Sequence, residues 1–179
     1  MKSYHALFVG LGIIGVIIFY VIWNIGLLKP VTVEQTQVPE LKLIFKKYQG
    51  PYQNAGAVFT EVEKLLAQDQ IVCDRTFGRY YDNPNEIDTE RTRADIGCIL
   101  IATDPLPTSA GLIAETVPAQ SAMVGSFEGA PWLTAFKVYK VLRQESYQRN
   151  IMLDEKAPIM ETYEKIENGF RTKVYFKLK

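Results

Sequence analysis

Residues 38–52 read Val-Pro-Glu-Leu-Lys-Leu-Ile-Phe-Lys-Lys-Tyr-Gln-Gly-Pro-Tyr, and residues 117–132 read Val-Pro-Ala-Gln-Ser-Ala-Met-Val-Gly-Ser-Phe-Glu-Gly-Ala-Pro-Trp. Each segment starts at a Val-Pro step, runs on as a strand and stops at glycine followed by proline. Glycine releases the extended backbone. Proline, with φ fixed and no N–H, suits the first turn of a helix. Leu41–Tyr48 and Ser121–Phe127 are therefore expected strands, each feeding a helix.

The apolar stripe Val58, Val62, Leu65 and Leu66 marks the first helix; Phe136, Val138, Val141 and Leu142 mark the second. Two strand-like runs follow each helix. Thr76–Tyr81 and Ala94–Ala102 are joined through the turn-rich Asp82-Asn83-Pro84-Asn85. Pro158–Glu164 and Thr172–Leu178 are joined at Asn168-Gly169, a strong hairpin signal. Each half is β-α-β-β, so the fold class is α+β with internal duplication. The halves fall at about 30–103 and 112–179, on either side of the linker Thr103–Gly111. Repeated units of this size pack face to face and leave a cleft along the pseudo-twofold axis.

One strand carries an acid where an apolar residue is expected. In Ile159-Met160-Glu161-Thr162-Tyr163, alternation puts Ile159, Glu161 and Tyr163 on one face. Burying a lone charge is costly, so Glu161 either lines a cavity or has a hidden partner. Arg79, between Phe77 and Tyr81 at the matching place in the first half, is the rival partner. Tyr81 and Tyr163 are read as equivalent cleft positions, and Tyr80, pointing the other way, as core. Tyr48, Phe127 and Trp132 flank the strand-to-helix steps near the presumed cleft.

The inventory excludes several chemistries. The chain has 179 residues and no net charge; setting aside Lys2 and Lys29 leaves 18 basic against 20 acidic residues. No basic cluster exceeds Lys46-Lys47, so nucleic acid is not an expected partner. The single histidine, His5, lies outside the domain, which rules out a His-based triad, haem or zinc site within it. No phosphate loop, metal cluster or nucleophile elbow occurs, and no cofactor is expected. Cys73 and Cys98 form no framework or metal spacing; an oxidising compartment would allow them to pair, but they are read as free, semi-buried thiols. The mixed-charge run Asp88–Asp95 reads as a solvated hairpin edge.

From Ala6 to Leu28 the chain is apolar apart from Asn24. As a helix this run spans roughly 30–35 Å, enough for a bilayer core. Tyr4, Tyr20 and Trp23 suit interfacial depths, and Lys29-Pro30 is expected to close the helix. Residues 1–29 are thus read as a single-pass anchor and 30–179 as the domain it carries. The side of the membrane is open, because Lys2 and Lys29 balance each other. Ala6 and Gly10 form one small-xxx-small pair, read as ordinary lipid packing.

The order of these features, with Tyr80-Tyr81-Asp82-Asn83-Pro84 and Pro158-Ile159-Met160-Glu161-Thr162-Tyr163, resembles the GyrI-like small-molecule-binding domain over nearly all of 31–179. The hydrophobic helix leading into the domain is most similar to membrane-anchored members, among them a testis-expressed ER-phagy receptor. The resemblance implies two β-α-β-β modules around a pocket for lipophilic, often cationic, small molecules, with Glu161 as the acid pointing inward. It implies no DNA-binding activity, since the helix-turn-helix of regulatory members is not in this sequence. Nor is receptor function expected, for the chain ends on its last strand without the receptor's disordered tail.

The expected ligand residues are Glu161, Tyr163, Tyr81, Tyr48, Trp132 and Phe127. An anionic carboxylate among aromatic rings favours organic cations by charge and by cation–π contact. Binding without chemistry is the preferred reading. Two alternatives stand beside it: hydrolysis of reactive compounds, with Glu161 as general base and Tyr163 or Trp132 orienting substrate, and a membrane adaptor binding another protein.

Overall fold

The computed structural model describes the chain except for residues 1, 102–104, 108 and 168, and leaves aside the side chains of residues 2–7 and 9. The expectations for Tyr4, His5 and Ala6 as side chains, for Asn168 in its hairpin, and for Thr103, Asp104 and Thr108 in the linker lie outside the described residues.

Helix α1 spans Lys2–Asn24. Strands β1 (Thr32–Val38) and β2 (Leu41–Gln49) lead to helix α2 (Gly56–Gln68), then β3 (Arg75–Tyr80) and β4 (Arg93–Leu100). Strands β5 (Ile113–Val117) and β6 (Gln120–Gly129) lead to helix α3 (Thr134–Gln148), then β7 (Ile159–Ile166) and β8 (Gly169–Lys177). The duplicated β-α-β-β order is present in β2-α2-β3-β4 and β6-α3-β7-β8.

The eight strands form one antiparallel sheet in the order β1-β6-β8-β7-β3-β4-β2-β5. The two halves meet at β3 and β7, with Gly78 opposite Glu161. β1 and β5 are additions to the sequence reading, and each is exchanged. β1 precedes β2 but pairs with β6 of the other half, while β5 precedes β6 but pairs with β2. The Val-Pro steps are therefore where the chain crosses between half-sheets.

Both helices lie on one face of the sheet. Val62 and Leu66 of α2 pack on Ile44, Cys98 and Leu100, and Val138 and Leu142 of α3 pack on Met123, Phe127 and Val174. On the other face, Leu41 and Tyr175 touch both the Leu43–Phe45–Phe77 cluster and the Val38–Ala122–Val124 cluster. Strands far apart in the order thus meet, and the sheet curls on itself.

Three expectations are corrected. The buried stripe of α3 is Thr134, Val138, Leu142 and Ser146, whereas Phe136 is 72% exposed. A spacing of four residues keeps Thr134 and Ser146 on the core side, and Phe136 lies well round the helix from them. Cys73 and Cys98 are bonded in a disulfide, their Cα atoms 5.8 Å apart. It ties the segment after α2 to β4, a pairing that their sequence spacing did not disclose.

Helix α1 also stops earlier than expected. Gly26, at φ 79°, takes the left-handed conformation. Its N–H bonds the Trp23 carbonyl, and the Leu27 N–H reaches back to that of Ile22. This is a Schellman stop, which glycine adopts without a Cβ penalty, and it acts before Lys29-Pro30 is reached. Among the described residues, no helix is long and apolar enough to cross a membrane. Apart from Asn24 at its end, the described side chains of α1 are nonetheless apolar and exposed on every side, Phe8, Ile14, Val16, Phe19 and Trp23 included.

Candidate functional site

Face alternation across the β3–β7 seam builds the site. Gly78 and Tyr80 of β3 share the helix-bearing face with Ile159, Glu161 and Tyr163 of β7, because Gly78 stands opposite Glu161 and Tyr80 opposite Ile159. Gly78 leaves the space that the Tyr80 ring fills; a Cβ there would lie 2.5 Å from its hydroxyl oxygen. α3 covers the seam from one side with Tyr139. α2 covers it from the other with Phe59, whose ring stands edge-on to Tyr163 at 5.6 Å.

Glu161 is buried and both its oxygens are held by phenols. Tyr139 Oη donates to Oε1 at 2.5 Å and Tyr163 Oη to Oε2 at 2.8 Å. Tyr80 Oη lies 3.0 Å from Tyr163 Oη, and the Tyr80 ring packs against Tyr52 at 4.8 Å. Phe176 stands edge-on behind Tyr139. Among the described residues, no lysine or arginine pairs with Glu161. Burial raises its carboxyl above the usual carboxylate range, against the opposing pull of the two tyrosine donors. Burial and the facing carboxylate push the Tyr139 and Tyr163 hydroxyls far up, so both remain protonated donors.

Glu161 lines a cleft of about 570 Å³ that also reaches Tyr52, Tyr80, Tyr139, Ile159 and Phe176. The loop after β3 forms one bank of the cleft. Asn83 folds it by accepting from the Asn85 N–H at 3.1 Å, as the turn reading expects. Counting Glu161, five carboxyls line the cleft, against Arg143 and Lys177. Asp82 is paired with Arg93 and Glu155 with Arg143, which leaves Glu86, Asp154 and Glu161 against Lys177, a small acidic excess that favours cations.

Arg79 is not the partner of Glu161. It projects from the opposite face of β3 and bonds Asp95 at 2.6 Å and Glu115 at 2.6 Å. The sequence comparison of the two halves was one residue out of register, which turns a strand over completely. The same slip exchanged Tyr80 and Tyr81. Tyr80 is in the site, while Tyr81 borders the cleft with its hydroxyl committed to Asp95. Burial, with the Asp95 carboxylate, pushes that phenol up to about 12.

The remaining expected residues are dispersed. Tyr48 lines a smaller cleft of about 320 Å³ with Lys47, Arg93 and Asp95, its hydroxyl donating to the Pro51 carbonyl. Phe127 is buried in the core under α3. Trp132 is 61% exposed in the short turn before α3. Glu161 and Tyr163 alone of the six come together as direct partners. Tyr52, Tyr80 and Tyr139 were missed as site residues. Tyr52 had a signal, since it follows Gly50-Pro51; Tyr139 had one only in its spacing from Ala135 and Arg143, the cleft-lining positions one turn away on either side.

The family model for the GyrI-like small molecule binding domain matches residues 32–179. The chain belongs to the GyrI-like family. Among solved structures, the C-terminal domain of EcmrR aligns with TM-score 0.63 and 14% identity, covering 83% of this chain and 98% of that one. SAV2435 bound to tetraphenylphosphonium aligns with TM-score 0.56 and 14% identity, covering 83% and 94%. A hydrolase from Listeria innocua aligns with TM-score 0.56 and 9% identity, covering 83% and 92%. At these identities the likeness is one of fold. Curated proteins give no match. None of these relatives carries further the expected likeness to membrane-anchored members or to an ER-phagy receptor. The GyrI-like domain here begins two residues after Pro30, immediately beyond the segment that follows α1.

Proposed function

We propose that this GyrI-like protein is a membrane-tethered binding domain for lipophilic organic cations, with Glu161 as the anionic contact. The observation that carries the reading is a buried carboxylate held only by hydroxyls, facing a cleft walled by aromatic rings. Tyrosine donors orient the charge without cancelling it, so a cation entering the cleft supplies the missing counter-charge. The tetraphenylphosphonium bound by SAV2435 is a lipophilic cation of this class. Titration of the purified chain with tetraphenylphosphonium should give saturable binding that Glu161→Gln weakens. Absence of binding, or equal binding by the variant, would refute the reading.

The tether rests on α1. Apart from Asn24 its described side chains are apolar all round, and an exposed helix of that kind needs a non-aqueous surrounding. Alkaline carbonate washing should leave the chain in the membrane fraction. Release into the wash would remove the tether from the proposal while leaving the cleft untouched.

A second reading is hydrolysis. It is favoured by the raised basicity of Glu161 and by the hydrolase among the structural neighbours. Glu161 would take a proton from water as that water attacks an electrophilic carbon, and return it to the leaving group. Turnover of an activated substrate that survives in Glu161→Gln would exclude it.

A further inference from the structure

Helix α3 presents four different faces to four different surroundings. Successive positions lie about 100° apart around a helix. Thr134, Val138 and Leu142 face the core. Ala135, Tyr139 and Arg143, one step round, line the cleft. Lys137, three steps round from Thr134, meets the segment after α1, its Nζ donating to the Leu27 carbonyl at 2.7 Å and the Lys29 carbonyl at 2.6 Å. Between the cleft face and the Lys137 face lie Phe136 and Lys140, both exposed.

Trp132 extends this uncovered face. It stands two residues beyond Ala130, whose N–H bonds the Ile25 carbonyl at 2.9 Å. The end of α1 is thus fixed to the turn that carries Trp132, and Gly26 fits against the Glu128 carbonyl and Gly129, where a Cβ would be within 2.9 Å of both. Leu27 and Leu28, leading out of α1, are exposed beside this junction. Large apolar side chains, lysines and the exit of an apolar helix share one side of the domain. An indole and a phenyl ring beside the exposed ammonium of Lys140 suit the headgroup layer, where rings are half immersed and an ammonium group meets lipid phosphates.

We propose that the outer face of α3, through Trp132, Phe136 and Lys140, rests in the interfacial layer of the bilayer that α1 enters. This inference depends on the tether proposed above. It fixes the domain against the lipid, with the Glu161 cleft opening along the neighbouring face of the same helix. A lipophilic cation concentrated in the headgroup layer then reaches the cleft by lateral movement, without crossing bulk water.

The chain's two tryptophans, Trp23 in α1 and Trp132 in the domain, separate this contact from the tether. Full-length W23F and W132F are each reconstituted into vesicles of phosphatidylcholine and phosphatidylglycerol, with bromine placed on the acyl chains either near the carbonyl or near the methyl end. Trp132 emission, read in W23F, should be quenched by the shallow bromines more than by the deep ones, and blue-shifted relative to free tryptophan in water. Unquenched Trp132 alongside quenched Trp23 would overturn the contact and leave the tether standing. Unquenched Trp23 would overturn the tether, and this inference with it. Trp132 shielded only by self-association, at the same level with and without brominated lipid, would also overturn it.

Discussion

Replacing Glu161 by glutamine removes one charge and almost no volume. The carboxylate oxygens sit 2.5 and 2.8 Å from their tyrosine donors, so a cation must approach past those rings. At about 5 Å and an effective dielectric near 20, the Coulomb attraction is roughly 3 kcal/mol. The carboxyl's raised proton affinity offsets part of this, because near its own pKa a proton must leave before the charge is available. A net loss of about 2 kcal/mol on substitution corresponds to roughly 30-fold weaker binding. Isothermal titration calorimetry with tetraphenylphosphonium reads this directly, and triphenylphosphine oxide serves as the neutral aromatic control. The cation should lose affinity and the neutral compound should not. Equal losses for both would show that Glu161→Gln had reshaped the cleft, and the charge-based reasoning would fail. Affinity for the cation should also rise with pH through the Glu161 titration in the wild type and stay flat in the variant.

Stability should move in the opposite sense. A carboxyl whose folded pKa is raised holds its proton more tightly in the folded state, so its contribution is present below the ordinary value of 4.5 and is lost as pH rises through the raised folded value. Thermal melts across that window should show the wild type losing stability relative to Glu161→Gln; the reverse slope would contradict the burial described. Gly78→Ala should cost about 1–3 kcal/mol, because the new methyl meets the Tyr80 ring, and urea unfolding should report it together with weaker cation binding. Reducing the Cys73–Cys98 bond opens a loop of 25 residues, for which chain entropy gives about 3.5 kcal/mol; urea midpoints with and without reductant measure it. Arg79→Ala leaves Asp95 buried without its guanidinium, a loss of about 3 kcal/mol that should leave the affinity of the Glu161 cleft for cations nearly unchanged.

The two Gly-Pro steps made the duplication legible, since each changes the backbone from extended to helical at the same place in its half. Glu161 was legible because an acid between Ile159 and Tyr163 breaks the alternation of a half-buried strand. The partner across the seam was not. Tyr80 and Tyr81 are adjacent and chemically alike, and which of them faces Glu161 depends on the pairing of Gly78 with Glu161, a fact of register between strands more than eighty positions apart. Tyr139 was hidden for a related reason: the orientation of α3 is set by Gly125, whose missing side chain lets Val138 and Leu142 sit down on β6. β1 is polar and β5 only five residues long, and both are mostly exposed, so they carry little of the apolar alternation that marks a strand.

The exchange of β1 and β5 bears on how the chain is made. Thr32 and Ser126, partners across β1 and β6, are 94 residues apart. A ribosome adding roughly 5–20 residues per second needs about 5–20 s to bring the second after the first. For that interval β1 has no strand to join, and β2 keeps one edge open until Ile113–Val117 emerges to close it. Neither half is a finished sheet while it waits, so the nascent chain's exposure to mispairing lasts until the second half has been synthesised.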